Sequence, residues 1–166
     1  MLNDLAQEII ELGTTKGVMI ATAESCTGGL ITGALTEIPG SSAVVDRGFV
    51  TYTNEAKAQM LSVPESLIEE KGAVSDSVVR AMVAGALANS RAQVAVAVTG
   101  IAGPGGGTDT KPVGLVYIAV QSQDGLADVR ECRFDTEGTT DRFGIRLKSV
   151  QTALEMLLKQ LKSEID

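Results

Sequence analysis

Apolar positions repeat along this chain with two periods, one helical and one extended. Leu5, Ile9, Ile10 and Leu12 recur at helical spacing behind Asn3 and Asp4. This predicts an opening helix capped by one of those two residues and closed near Gly13. Gly17-Val18-Met19-Ile20 reads as a strand, and Leu30-Ile31-Thr32-Gly33-Ala34-Leu35 as a helix. Pro39-Gly40-Ser41-Ser42 marks a turn. Residues 43–52 form an extended run rich in β-formers, in which Gly48 signals a bulge or a close backbone approach. A short helix through Met60 starts from Thr53 or Asn54, and another over 65–71 lies between Pro64 and Gly72. Ser75 caps a longer helix with Val78, Val79, Met82, Val83, Ala86 and Leu87 on its apolar face. Its Ala81, Ala84, Gly85 and Ala88 are small enough for close approach to a sheet.

The run 93–98 is almost continuously apolar, as in a central strand covered on both faces. Residues 112–120 and 127–134 read as an antiparallel hairpin across Gln123-Asp124-Gly125, with Cys132 as core filler. The last helix carries Ile145, Leu147, Val150, Leu154, Leu157, Leu158 and Leu161. Strands separated mostly by helices predict an α/β fold: three layers, α/β/α, around a mixed, mostly parallel sheet, in one domain over 1–166.

Two stretches carry candidate chemistry. Ser25, Cys26 and Thr27 fall where a strand turns into a helix, beside N–H groups that lack helical partners and favour an anion. A plain N-cap explains the same residues. The second stretch, Thr99-Gly100-Ile101-Ala102-Gly103-Pro104-Gly105-Gly106-Gly107-Thr108, follows the apolar strand at the place where open α/β sheets bind ligands. It is neither a P-loop nor a dinucleotide fingerprint, and a flexible surface loop is its alternative reading. Lys57 falls in the first turns of a short helix, as a solvated charge or as a base. Arg142 and Arg146 lie four apart near the start of the last helix, where a cation opposes the helix dipole and calls for an acidic neighbour such as Asp141 or Glu137, or for a bound anion.

Composition narrows these options. The net charge of −7 argues against a nucleic-acid partner. No apolar run is long enough for a membrane span, and the acidic N-terminus is no secretory signal. Two distant cysteines form no CxxC motif and fit a cytoplasmic protein with free thiols. The chain has no histidine. That removes Ser-His-Asp and Cys-His hydrolysis and the commonest metal ligand, so acid–base work falls to Lys, Tyr, Asp, Glu or water.

AESCTGG at 23–29, GFVTYTNEAK at 48–57, GAVS at 72–75, and TGIAGPGGG at 99–107 with KPVG at 111–114 occur in this order. Together they resemble the C-terminal domain of the CinA (competence/damage-inducible) family, over nearly the whole chain. Longer members carry an N-terminal domain similar to molybdopterin-binding proteins, for which 166 residues leave no room. The resemblance implies hydrolysis of nicotinamide mononucleotide to nicotinate mononucleotide and ammonia, without metal or cofactor. It implies Ser25 as nucleophile, Lys57 as base, and Tyr52 as a group that orients Lys57 or relays its proton. The N–H groups of Cys26, Thr27 and Gly28 are the expected oxyanion donors. Thr99 and the 100–107 loop, with Gly100 and Gly103, are expected to close over the nucleotide, and Arg146 to hold its phosphate or carboxylate. Cys26, as a thiolate at a helix start, is the alternative nucleophile. A non-catalytic module that senses a pyridine nucleotide is the alternative function. Small open α/β domains of this kind often pair, so a homodimer is expected.

Overall fold

A computed structural model of the protein describes residues 1–163. Helix α1 (Leu2–Lys16) leads to β1 (Ile20–Glu24) and α2 (Leu30–Thr36). A single 3₁₀ turn (Ser41–Ala43) precedes β2 (Val45–Val50), followed by α3 (Asn54–Leu61), α4 (Glu65–Lys71) and α5 (Asp76–Ala88). Strand β3 (Val94–Gly100), the hairpin β4 (Leu115–Ser122) and β5 (Asp128–Arg133), and the long α6 (Arg142–Ser163) complete the chain. The strands form one sheet in the order β2-β1-β3-β4-β5. The β1–β2 and β1–β3 pairings are parallel, and the β3–β4 and β4–β5 pairings antiparallel. Four of the five strands therefore run one way, with β4 reversed, in the expected α/β class.

Alternation along the strands divides the core in two. Val94, Val96 and Val98 of β3 face a large cluster with Ile9 of α1, Ile31 and Leu35 of α2, and Leu154 and Leu157 of α6. Ala95 and Ala97 face the other side, with Ala21, Ala23 and Ala119, against Val79, Met82 and Ala86 of α5. Residues that alternate across a pleated strand line opposite faces. One face therefore carries branched side chains and the other carries alanines, which leaves room for α5 to lie close. The small residues that permit this approach are on the strands. Ala84 and Ala88 of α5, expected at that contact, are exposed.

Several sequence-based boundaries shift, each for a local reason. Helix α1 passes Gly13 and stops at Gly17, whose φ of 64° lets its N–H reach back into the last turn. A Cβ at Gly13 would lie 2.5 Å from Val44, so that glycine serves packing. Asn3 and Asp4 lie inside α1, where Met1 is the N-cap. Strand β1 starts at Ile20 and absorbs Ala21 to Glu24, because Gln93 takes up the backbone of Met19 instead. Gly48 marks a close approach: a Cβ there would lie 2.5 Å from Thr32 Oγ1 and 2.7 Å from Thr22 Oγ1. The bulge is two residues earlier, where Asp46 is the extra residue between Val45 and Arg47. Strand β4 starts after Gly114, whose φ of 90° closes a turn through Leu115 N–H and the Pro112 carbonyl. The caps at Thr53 and Ser75 form, accepting from the N–H groups of Ala56 and Val78.

This topology delivers three strand ends to one edge. Glu24 is in register with Val50 on one side and Val98 on the other. Ser25 donates its N–H to the Val98 carbonyl, and Thr51 donates to the Glu24 carbonyl. The segments 25–29, 51–53 and 99–101 therefore leave the sheet side by side.

Gly85 tests the packing of α3 on α5. A Cβ there would overlap the Leu61 carbonyl at the end of α3. Although Ala favours helix by up to about 1 kcal/mol over Gly, Gly85→Ala is expected to lower stability by about 1–3 kcal/mol through overpacking. Urea denaturation would read this as a lowered midpoint; a raised midpoint would mean that the α3–α5 contact yields freely.

Candidate active site

Ser25 sits at the first position beyond β1, and the turn it opens is built on Glu24. Glu24 is completely buried, and its carboxylate collects five donors. Oε1 accepts from Thr27 Oγ1 (2.7 Å), Gly29 N–H (3.2 Å) and Ile31 N–H (2.9 Å). Oε2 accepts from Thr32 N–H (3.0 Å) and Thr32 Oγ1 (2.8 Å). Helix α2 therefore begins at Leu30, later than Ser25 to Thr27, and its free N–H groups are capped by Glu24. Ser25 and Thr27 are not its N-caps. Sequence reading passed over Glu24 as an acidic residue within a motif; its place at the end of an apolar strand, ahead of a Gly-Gly turn, was the available signal.

The turn leaves two amides without a backbone partner. Gly28 N–H, expected as an oxyanion donor, is taken by the Ser25 carbonyl at 3.0 Å. The N–H groups of Cys26 and Thr27 have no carbonyl or carboxylate acceptor among the described residues. Arg146 holds this turn from below: Nε donates to the Cys26 carbonyl at 3.0 Å and an Nη to the Thr27 carbonyl at 3.2 Å. With the Cys26 carbonyl drawn toward Arg146, the Thr27 N–H of the same peptide plane turns the other way. A Cβ at Gly28 would lie 3.3 Å from this guanidinium.

Lys57 comes from α3 and is 1% exposed. Its Nζ lies 3.0 Å from Ser25 Oγ, 3.0 Å from the Thr51 carbonyl and 3.4 Å from the Tyr52 carbonyl. Loss of hydration on burial holds its pKa below the ordinary lysine value, with the neighbouring Cys26 pulling weakly the other way. A neutral amine has two N–H donors and one lone pair. The two carbonyls can take the donors, which leaves the lone pair for the Ser25 hydroxyl. Cys26 is also buried, and desolvation pushes its thiol up to about 12, outweighing the pull of its own backbone N–H and of Arg146. A thiolate at this position, one of the sequence-based alternatives, is therefore disfavoured. Its side chain is not at a helix start, where a thiol would be activated.

These groups line a cleft of about 290 Å³. Tyr52 lies at its rim, 58% exposed. It meets Lys57 through its backbone carbonyl, while its hydroxyl accepts from Arg142 at 2.9 Å. Thr99 is buried and donates its hydroxyl to the Ala73 carbonyl, tying the end of β3 to the 72–75 segment. Gly100 lies against Val116 and Leu115, too close for any side chain. Gly103 has a φ of 76° and offers its carbonyl to Arg142 at 2.7 Å. Of the two arginines, Arg142 lines the cleft and Arg146 supports the 26–27 turn from outside it. Neither is ion-paired among the described residues, so the expected Asp141 and Glu137 partners are not used; Asp141 instead caps α6 at Gly144. No Asp or Glu lines the cleft, in a chain of net charge −7. Among the described residues no cluster of His, Cys, Asp and Glu side chains is arranged to hold a metal ion, and no helix is long and apolar enough to cross a membrane.

This architecture has close relatives of known structure. A CinA-family protein from Agrobacterium tumefaciens, a competence/damage inducible protein, is 56% identical and superposes with a TM-score of 0.92 over 97% of this chain and 95% of that one. The nicotinamide-nucleotide amidohydrolase PncC of Enterobacter agglomerans is 46% identical over 95% of this chain and 96% of its own length. PncC of Escherichia coli K12 is 43% identical over 96% and 94%. By contrast, the chain spans 37% of the length of the first curated relatives it matches, such as a CinA-like protein of Geobacter sulfurreducens at 47% identity. The profile of the CinA C-terminal domain matches residues 2–161. The chain belongs to the CinA C-terminal domain family.

Proposed function

We propose that residues 1–166 form one amidohydrolase domain that converts nicotinamide mononucleotide and water to nicotinate mononucleotide and ammonia. The observation that carries this reading is Lys57 Nζ, buried and 3.0 Å from Ser25 Oγ, with two carbonyls to occupy its hydrogens. The names of the two PncC relatives supply the substrate.

Ser25 Oγ attacks the carboxamide carbon while Lys57 takes the hydroxyl proton. The carbonyl oxygen becomes an oxyanion facing the N–H groups of Cys26 and Thr27, the second of which Arg146 directs through the Cys26 carbonyl of the same peptide plane. As the tetrahedral centre collapses, the C–N bond breaks and Lys57 returns its proton to the departing nitrogen, which leaves as ammonia. The acyl-serine ester is then attacked by water. Lys57 accepts one water proton and passes it to Ser25 Oγ as the ester opens to the acid, which gives its remaining proton to solvent and leaves as the carboxylate. Tyr52 positions Lys57 by its carbonyl and Arg142 by its hydroxyl. Thr99, Gly100 and Gly103 shape the wall that closes over the nucleotide. The same reading includes a cytoplasmic setting, supported by two unpaired thiols. It includes a homodimer, supported by the exposed Val50, Tyr52 and Phe143 on elements that border the cleft. No nucleic-acid or membrane partner is part of it.

Ammonia release from nicotinamide mononucleotide, measured with chelator present, is expected to persist in the parent protein and to fall at least about 10³-fold in Ser25→Ala. Binding of the nucleotide with no ammonia from the folded parent would instead establish a sensing module.

Turnover needs Lys57 neutral. A base whose pKa is lowered gains its neutral form as pH rises through that lowered value, so kcat/KM is expected to climb about tenfold per pH unit and level off below pH 10.5. Lys57→Arg, charged at every working pH, is expected to be inactive by about 10²–10⁴-fold throughout. A flat profile in the parent would remove Lys57 from the role of base.

Both thiols are buried and held protonated. Iodoacetamide at pH 8 is therefore expected to leave the native enzyme active and to label Cys26 and Cys132 only after denaturation, as mass spectrometry would show. Rapid inactivation matched by labelling of Cys26 would restore the thiol as nucleophile.

A further inference from the structure

The reactive end of the cleft is buried and uncharged in its working form, yet its rim carries an exposed cation with no anionic partner. Arg142, the first residue of α6, reaches across the mouth and donates to two neutral acceptors, the Gly103 carbonyl and the Tyr52 hydroxyl. Those contacts engage one hydrogen on each terminal nitrogen and leave further guanidinium donors open. The Gly-rich loop opposite adds N–H groups: those of Gly105 and Gly106, both at the cleft, have no acceptor among the described residues. Gly106 has a φ of 87°, a conformation that glycine supplies without strain.

We propose that Arg142, with the N–H groups of Gly105 and Gly106, holds the phosphate of the mononucleotide, so that the site reads its substrate by charge at the rim and by amide chemistry at the floor. This rests on the amidohydrolase reading above and assigns the phosphate to a different residue from the one the sequence singled out. Arg146 is already committed to the carbonyls of Cys26 and Thr27 and is not among the residues that line the cleft. Arg142 is free to form paired, charge-assisted bonds with a phosphate, and successive N–H groups of a glycine loop make a concave anion site beside it. The distribution of charge agrees. The protein as a whole would repel a dianion, but the cleft lining contains no carboxylate.

The test is calorimetric binding of nicotinamide mononucleotide and of nicotinamide riboside, which lacks the phosphate, to a Ser25→Ala protein that does not turn them over. The mononucleotide is expected to bind at least tenfold more tightly than the riboside. Adding Arg142→Ala is expected to weaken the mononucleotide about 10–100-fold, the range for a lost charge-assisted contact, down to the level of the riboside, and to move the riboside less than threefold. Arg142→Gln, which retains a donor for the Gly103 carbonyl but no charge, is expected to behave as Arg142→Ala does and serves as the variant of record where Arg142→Ala fails to fold. Equal weakening of both ligands would make Arg142 a loop-ordering residue and overturn the proposal. Unchanged mononucleotide affinity, or a parent that binds both ligands alike, would overturn it too. Failure of the amidohydrolase reading looks different: no ammonia from the parent protein, with the two affinities still separated.

Discussion

The buried carboxylate of Glu24 organises the reactive edge of this molecule. It stands at the end of β1, where the chain must turn back toward α2, and three backbone N–H groups and two threonine hydroxyls converge on it. A carboxylate buried without such donors would be strongly destabilising. With them it fixes the turn, because any rotation of 25–29 would leave a charge or an amide unpaired. Gly48 belongs to the same arrangement, since a side chain there would press into Thr32 and Thr22, which meet beneath it. Ser25 thus owes its position to a carboxylate one residue away that does not line the cleft.

Two basic side chains with opposite environments complete the site. Lys57 is buried and faces two carbonyls and a hydroxyl, and desolvation favours its neutral amine. Arg146 lies next to the same turn, and its donors go to the carbonyls of residues 26 and 27. In the proposed reaction the first supplies the base, and the second holds the peptide plane that carries the Thr27 N–H. The division follows from their chemistry: a buried lysine can lose its proton near neutrality, whereas a guanidinium cannot.

Much of this was legible in the sequence. The alternating valines and alanines at 94–98 mark the central strand, and the caps at Thr53 and Ser75 fix the starts of α3 and α5 because each is a local hydrogen bond. The boundaries that moved depend on contacts remote in sequence. Gly13 is a helix interior because Val44 packs on it, and β1 starts at Ile20 because Gln93 occupies the backbone before it. Lys57 illustrates the limit at the site. Its helical position alone fits a surface charge equally well, and only the meeting of α3 with the end of β1 buries it. The two arginines share a helix face in sequence, yet the four-residue step along α6 places one at the cleft and the other under the turn.

With no histidine in the sequence, the proposed reaction takes its base from α3. Imidazole would titrate near neutrality in water, but an amine must be stripped of solvent to do so. The buried positions of α3 are Lys57 and Leu61, one helical turn apart. Leu61 belongs to the cluster formed by α5 and the alanine face of the sheet, and its carbonyl rests where Gly85 has no side chain. Leu61 therefore anchors the helix, and the anchoring places Lys57 at the strand ends out of contact with water. Close packing around Gly85 is thus tied to the proton chemistry through a single turn of helix. Loosening that contact would hydrate Lys57 and raise its pKa toward the ordinary lysine value, which in the proposed reaction removes the base.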